Sequence, residues 1–389
     1  MIILIETWLM ECLNAIGQLF LNPLLYWVFL LALIASYKRI KQERYHFGFK
    51  VFDAFSEWKN TGSFSLLSGL IMSLIFVGVG IVFSYEVLLL LSVMMIVLSI
   101  SFKFTLLSPS YTIGFTFLLL LFLPFLLEYQ SFVNPDLFNQ TNFIGLVLLL
   151  GLFLIVESIL LRRTKRNETF PEIVLSKRGV WVGQHHLKKL AVIPFFVLIP
   201  NGFITPFAPF WPYISFGDES YSLLLVPFLI GFDFTIKGSL PQETAKRIAP
   251  PLALLGILVL LLGVGSIYLS WLSLVAVIIA ILGREYINYR HRTTDKEKGF
   301  YFNQIEDGIK VLGVIPGTPA DRLHILIGET IKKVNDHKVN NVKQFYEALQ
   351  NSGAFFKLEV IDDKGEVRFV QSAFYEEDHH ELGIIFTDK

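Results

Sequence analysis

The chain has 389 residues, of which 53% are hydrophobic and only 17% charged, so it is more apolar than a soluble globular protein. Its 33 basic residues equal its 33 acidic ones, so net charge gives no indication of a nucleic-acid partner. The single cysteine, Cys12, excludes an intramolecular disulfide and any zinc site that needs two thiolates from one chain. These features predict an integral membrane protein.

Residues 1–18 predict an amphipathic N-terminal segment. Its polar side chains recur at helical spacing and form one stripe on an otherwise apolar helix. The stripe consists of Thr7, Glu11, Asn14 and Gln18. Because the segment lacks Lys and Arg, it gains nothing from anionic lipid, and it either lies in the membrane interface or packs against the bundle.

Residues 19–283 predict a multi-span membrane domain, since apolar blocks of roughly bilayer-crossing length alternate with short polar loops. The clearest blocks have 19 residues each and are Leu19–Tyr37, Leu66–Ser84 and Phe143–Leu161. The shorter blocks are Val87–Phe102, Tyr111–Leu127, Leu190–Thr205 and Leu223–Ile236. Pro194, Pro200 and Pro227 would kink the last two helices.

The longest apolar run covers residues 250–282, which exceeds one membrane crossing at a rise of about 1.5 Å per residue. Gly263, Gly265 and Ser266 near its middle predict a tight helical hairpin. The fold expected is therefore a polytopic α-helical bundle of about eight spans, with seven to nine possible, followed by a small α+β domain.

The distribution of basic residues predicts the orientation, because Lys and Arg are retained on the cytoplasmic side. The basic segments are 38–60, 162–189 and 284–298, the last a juxtamembrane linker. The segments without Lys or Arg are 128–141 and 206–220. The alternation places the C-terminal domain in the cytoplasm, whereas the side of Met1 stays open.

Residues 299–389 contain no apolar run long enough to cross a bilayer and predict a folded soluble domain. Strand patterns occur in the segments Ile309–Ile315, Thr330–Val334, Lys357–Ile361 and Glu366–Gln371. Asn341 is placed to cap a helix whose apolar face includes Phe345 and Leu349.

Two stretches of this domain, Gly308–Ala320 and Ile327–Asn335, resemble the core of bacterial PDZ domains. Glu329 and Asp336 depart from the pattern, which commonly has Asp and Gly there, so the turn geometry stays open. PDZ domains add an extended peptide as a strand beside a helix. The loop-like sequence Glu381–Phe386 follows the core, so the resemblance implies a circularly permuted arrangement.

The PDZ resemblance also implies a peptide-binding site. Its predicted residues are Leu382, Gly383, Ile384, Phe386, Phe345 and Leu349. A glycine lets backbone amides approach a carboxylate closely, and Ile384 and Phe386 alternate toward the helix. The alternative is an edge strand that only closes the core.

The segment Phe20–Trp27, the basic aromatic segment Lys38–Lys50 and a terminal cytoplasmic PDZ domain together resemble the MinJ family of cell-division topological determinants. The resemblance implies a membrane adaptor at the septum and poles. It would bridge a DivIVA-like scaffold and a MinD-like ATPase, prevent FtsZ ring assembly near the poles, and self-associate. It implies no catalytic residue, no cofactor and no nucleic-acid partner.

Enzyme signatures are missing from the sequence. The His-Glu-x-x-His motif of membrane metalloproteases does not occur, and the pairs His185-His186 and His379-His380 predict solvated polar residues. Asp233 lies inside a predicted span and is expected to pair with Lys237 at i+4; the alternatives are that its side chain snorkels to the interface or that it marks a transport path. The alternative functions are therefore a PDZ-bearing regulatory subunit of a membrane protease, and a transporter.

Overall fold

The computed structural model describes residues 2–126, 135–215, 220–303, 307–353, 355–373 and 382–387. Its long helices are α1 Ile2–Leu19, α2 Pro23–Phe47, α3 Gly62–Val79, α4 Tyr85–Ser99, α5 Pro109–Leu126, α6 Gln140–Arg162, α7 Pro241–Gly265 and α8 Trp271–Glu297. In the described part of the chain, five of them (α2, α3, α6, α7 and α8) are long and apolar enough to cross a membrane. The helices α4 and α5 are also apolar.

Between α6 and α7 the chain forms an antiparallel sheet. Its strands are β1 Phe170–Leu175, β2 Trp181–Ile204 and β3 Tyr221–Ile236, in the order β1-β2-β3. The prediction of helices at Leu190–Thr205 and Leu223–Ile236 is therefore wrong. These segments are paired strands of one long hairpin, and α3 and α4 pack against it.

Proline explains why these segments form strands. Pro194 lies opposite Pro227 in the hairpin. Proline has no N–H, so it is tolerated where the backbone amide would point away from the partner strand. The amide of Phe196, two residues further along β2, points the same way and donates to Ser73 Oγ of α3 at 2.8 Å. The prolines lack an N–H, and a helix side chain accepts from that of Phe196. Backbone donors at these positions of the hairpin therefore do not stay unpaired in lipid.

The N-terminal segment packs against the bundle, one of its two predicted placements. Glu11 is 2% exposed, and its carboxylate accepts from the backbone N–H groups of Phe203 at 3.2 Å and Leu223 at 3.4 Å. Asn14 and Gln18 are exposed. The predicted polar stripe therefore contacts protein at Glu11, whose carboxylate satisfies backbone N–H groups near the end of the β2–β3 hairpin.

The helical hairpin predicted within residues 250–282 is confirmed, since α7 ends at Gly265 and α8 begins at Trp271. The segment 284–298, predicted as a juxtamembrane linker, is helical, because α8 continues through it to Glu297. One face of this extension carries buried polar residues at helical spacing. They are Arg284, Asn288, His291 and Asp295. Their burial explains why the helix continues past the apolar run.

The basic segments gather at one end of the bundle. Lys189 Nζ lies 2.8 Å from Glu168 Oε2 and donates to the carbonyl of Lys59 at 3.0 Å. At the other end, the N–H of Tyr213 donates to the carbonyl of Val79. This separation agrees with the predicted alternation of basic and non-basic segments. Residues 128–134 of the predicted loop 128–141 lie outside the described residues.

The C-terminal domain is a small α+β unit. Its strands are β4 Ile309–Lys310, β5 Gly313–Val314, β6 Thr330–Val334, β7 His337–Lys338, β8 Phe355–Ile361, β9 Val367–Ala373 and β10 Ile384–Ile385. Its helices are α9 Pro319–Arg322 and α10 Val342–Gln350. The main sheet has the order β4-β6-β8-β9, with β7 beside β6, and β10 pairs with β5. The predicted helix cap is confirmed, because Asn341 Oδ1 accepts from the Gln344 N–H at 2.8 Å.

The two departures from the PDZ pattern are accommodated locally. Asn335 and Asp336 form a tight turn with φ of 46° and 67°, respectively. Short polar side chains tolerate this left-handed conformation. Glu329 is 2% exposed and lies 2.6 Å from the guanidinium of Arg368 on β9. Neither residue contributes to the predicted peptide-binding site.

Candidate functional site

The structure brings the predicted peptide-binding residues together. The rings of Phe345 and Phe386 meet edge to face with centroids 5.2 Å apart. The apolar members of the set, Leu382, Ile384, Phe386, Phe345 and Leu349, are each at most 5% exposed and belong to one cluster. Among the described residues, these side chains form the core between β10 and α10. They therefore hold the domain together.

The backbone at Gly383 has a conformation that favours glycine. Its φ is +80°, and a Cβ atom there would lie 2.3 Å from Thr318 Oγ1. The loop is anchored on both sides, since the Ile315 N–H donates to the Gly383 carbonyl at 2.9 Å and the Ala320 N–H to the Leu382 carbonyl at 3.0 Å. Gly383 is thus needed for the close packing of this loop on the start of α9.

Strand β10 has one edge without a partner strand in the described part of the domain. The carbonyls of Gly383 and Ile385 both accept from the β5 side, from Ile315 and Leu312. Because backbone groups alternate along a strand, those of Ile384 point to the opposite edge, where a peptide strand could be added. Glu381 and His379-His380 lie outside the described residues.

The C-terminal domain sits on the basic end of the membrane domain through a buried apolar cluster, which we call the seat. Its main members are Phe52, Phe170, Ile173, Leu240, Phe302, Leu312, Ile327 and Ile385. They come from the loop after α2, from β1, from the segments that flank α7 and α8, and from the C-terminal domain itself. No periodic pattern in the sequence indicates these residues, because they come from separate segments.

Polar contacts beside the seat fix the position of the C-terminal domain on the membrane domain. Asn167 Nδ2 donates to the carbonyl of Ile325 at 2.9 Å, and Asn167 Oδ1 accepts from the Ile327 N–H at 3.1 Å. The neighbouring Arg166 lies 3.0 Å from Asp363 Oδ1. Both residues fall in the basic segment 162–189, which the sequence predicts either as a second contact surface or as a determinant of topology alone.

Replacing Asn167 by alanine is expected to loosen the seat. Two hydrogen bonds are lost, each contributing about 1 kcal/mol, so the undocked population should rise about tenfold or more. Hydrogen exchange at residues 325–328 in the full chain measures this opening. Asn60→Ala is the matched control, because Asn60 donates to Glu168 at the same end and not to the C-terminal domain. Equal exchange in both variants would contradict the proposed contact.

A charged cluster lies next to the seat, at the basic end and outside the spanning helices. His186 Nε2 lies 2.9 Å from Glu172 Oε2, and its Nδ1 lies 3.3 Å from Asp233 Oδ1. The prediction that Asp233 pairs with Lys237 is therefore wrong, since i+4 residues are not neighbours on a strand. His185 points to the other face and is fully buried, which also corrects its prediction as solvated.

The two neighbouring histidines have opposite electrostatic environments. Burial lowers the pKa of His186, but the hydrogen bonds to Asp233 and Glu172 outweigh it and raise that pKa to about 9. Burial lowers the pKa of His185 to about 3. At neutral pH the cluster therefore contains a protonated His186 between two carboxylates.

Stability should depend on pH through His186. Its folded-state pKa lies above the ordinary 6.5, so its contribution is fully present below about pH 6.5 and is lost as the pH rises through about 9. We expect the free energy of unfolding to fall by on the order of 2 kcal/mol over this pH range, allowing for screening of the partly exposed ring. Thermal transition midpoints of the wild type and His186→Gln at about pH 6 and about pH 10 measure it. This assignment would be contradicted if the wild-type midpoint fell, between the lower and the higher pH, by no more than the midpoint of the variant.

Among the described residues, no group of three or more His, Cys, Asp or Glu side chains is arranged to hold a metal ion. The arrangement described above offers a strand edge and docking surfaces.

The described residues contain candidate spanning helices followed by a small α+β domain, which is the architecture of a polytopic membrane protein. No family model matches the chain. The chain is 34% identical over 383 residues to the cell division topological determinant MinJ of Bacillus subtilis, covering 98% of this chain and 96% of the relative. It therefore belongs to the MinJ family, which confirms the resemblance seen in the sequence.

A more distant relative supports the same family. The chain is 22% identical over 253 residues to the probable cell division topological determinant MinJ of Lacticaseibacillus paracasei. That match covers 65% of this chain and 68% of the relative.

Proposed function

We propose that the protein is a membrane adaptor in division-site placement. The observation that carries this proposal is the match to the Bacillus subtilis protein over 98% of the chain, which includes both the membrane domain and the C-terminal domain. The name of that relative describes a cell division topological determinant. The membrane domain confines the protein to two dimensions, and confinement raises the effective concentration of anything it binds.

The C-terminal domain is the recognition part of this proposal. We infer that it is a PDZ-type domain in the cytoplasm and that it takes a peptide strand at the open edge of β10, with Ile384 supplying backbone hydrogen bonds. The anchored loop at Gly383 supports this inference, because it holds the edge in a fixed position. Its partners would be a DivIVA-like scaffold and a MinD-like ATPase, and their recruitment would keep FtsZ rings from forming near the poles.

Imaging in dividing rod-shaped cells tests the adaptor. A fluorescent fusion of the full chain is expected at septa and poles, and a chain that ends at Lys298 is expected to spread over the envelope. Both chains should appear in the membrane fraction, because the truncated one retains the candidate spans. A uniform signal from the full chain, or septal enrichment that survives truncation, would contradict the proposed role of the domain.

A further inference from the structure

A groove of about 410 Å³ runs between α7 and α8 near the basic end of the bundle. The lining residues that matter here are Arg247, Leu254 and Leu258 on α7, and Tyr286, Arg290 and His291 on α8. The groove belongs neither to the C-terminal domain nor to the charged cluster at His186.

The groove is polar at one end and apolar at the other. Leu254 is 68% exposed and Leu258 is 43% exposed, as expected for side chains that face lipid. Arg247 precedes Leu258 by about three helical turns, or roughly 16 Å, which is about half the hydrocarbon thickness of a bilayer. The groove therefore spans one leaflet, with its arginine end at the depth of the lipid headgroups.

The polar end carries positive charge without a matching negative charge. None of the residues that line the groove is acidic. Two nearby carboxylates are engaged elsewhere: Glu285 accepts from the Tyr111 hydroxyl, and Asp295 accepts from the backbone N–H groups of Lys237 and Gly238. Glu243, one turn before Arg247 on α7, lies outside the groove lining. Within the described part of the chain, neither Arg247 nor Arg290 forms an ion pair. Guanidinium groups match phosphate geometry closely.

His291 provides a second, independent indication of a ligand. The residue is 6% exposed, and its Nε2 lies 3.1 Å from the carbonyl of Thr235. Its Nδ1 is buried and has no hydrogen-bond partner among the described residues. A buried polar atom without a partner is costly. Because Nε2 donates to the Thr235 carbonyl, Nδ1 of the neutral ring is an acceptor, and a ligand hydroxyl at this end of the groove would satisfy it.

We propose that this groove binds an anionic phospholipid from the leaflet at the basic end. The phosphate lies between Arg247 and Arg290, a headgroup oxygen reaches His291, and an acyl chain runs along Leu254 and Leu258. An apolar trough alone would accept any hydrophobic segment, but two unpaired arginines at headgroup depth favour a lipid phosphate. Basic pockets between spanning helices are suited to such headgroups.

Native mass spectrometry of the full chain tests the proposal, with phosphatidylglycerol and phosphatidylcholine added to detergent micelles. Wild-type protein is expected to retain phosphatidylglycerol at least about tenfold better than phosphatidylcholine. Arg247→Gln with Arg290→Gln should abolish that preference. The matched control is Lys246→Gln with Arg292→Gln, which removes the same charge from the same two helices at exposed positions outside the groove.

The apolar end is tested separately by Leu258→Trp, which fills the groove without changing its charge and should reduce lipid retention about tenfold. Thermal transitions of all variants verify folding. Equal retention of the two lipids, equal loss in the arginine variant and its control, or displacement of the lipid by soluble glycerol phosphate would each overturn the proposal. A lipid-free dimer that is lost in Leu258→Trp would instead assign the groove to a second copy of the chain.

Discussion

Replacing Arg284 by alanine is expected to destabilise the membrane domain by about 3–5 kcal/mol. Arg284 Nη2 lies 2.8 Å from Glu157 Oε1, and both side chains are fully buried. Ser108 Oγ donates to the other carboxylate oxygen at 2.6 Å, so the group joins α6, α8 and the start of α5. Without the arginine, Glu157 would remain as an uncompensated buried charge.

The double variant separates the charge effect from packing. No N–H of Arg284 is aligned for a hydrogen bond to Glu157 within the described structure, so the pair interacts mainly by charge attraction. Glu157→Gln combined with Arg284→Met should therefore recover most of the lost stability, because buried ion pairs replaced by neutral groups are often tolerated.

Thermal unfolding in lipid nanodiscs measures these differences. Arg292→Ala is the control on the same helix, since Arg292 is exposed and its loss should change stability by less than about 0.5 kcal/mol. If Arg284→Ala is as mild as this control, the buried pair does not stabilise the bundle.

The second large effect is expected at Gly383. An alanine there would be strained at φ +80° and would meet Thr318 at 2.3–2.5 Å, so the C-terminal domain should lose about 3 kcal/mol. Gly317→Ala is a matched control, since Gly317 has φ +81° but a Cβ atom added there would meet nothing within 4 Å. The Gly317→Ala domain should lose only about 1–2 kcal/mol of stability, which is the cost of the backbone conformation alone.

Hydrogen exchange of the β6 and β8 amides in the full chain measures both variants, because these strands form the centre of the domain. Similar losses in Gly383→Ala and Gly317→Ala would mean that Thr318 moves aside easily. If the larger loss occurs, failure of a Gly383 variant to bind a partner reflects destabilisation of the domain as well as any change at the peptide edge, so a test of that edge needs substitutions elsewhere.

The long hairpin shows where the sequence was ambiguous. A strand buried on both faces has the same unbroken apolar run as a spanning helix, so periodicity could not separate them. Pro194, Pro200 and Pro227 were the available signal, because prolines inside two short apolar blocks disfavour helices. In the clearest blocks the only proline is Pro23, which stands at the first position of α2, where proline is tolerated, and helices formed over most of each block.

The C-terminal domain was easier to predict because its signals are local. The cap at Asn341, the turn at Asn335-Asp336 and the hairpin at 357–371 each depend on a few neighbouring residues. The seat was missed because Asn167 and Ile327 are far apart in sequence. The buried stripe on α8 could have been found, since Arg284, Asn288, His291 and Asp295 recur at i, i+4, i+7 and i+11.

The hairpin of β2 and β3 also constrains how the polypeptide reaches its final state during synthesis. A helix satisfies its own amides and can leave a translocation channel sideways into lipid, whereas a lone extended segment cannot. The apolar parts of β2 and β3 must therefore pair with each other, and with the helices made before them, before the surrounding lipid closes in. Biogenesis of this protein depends on a protected space in which the two strands meet.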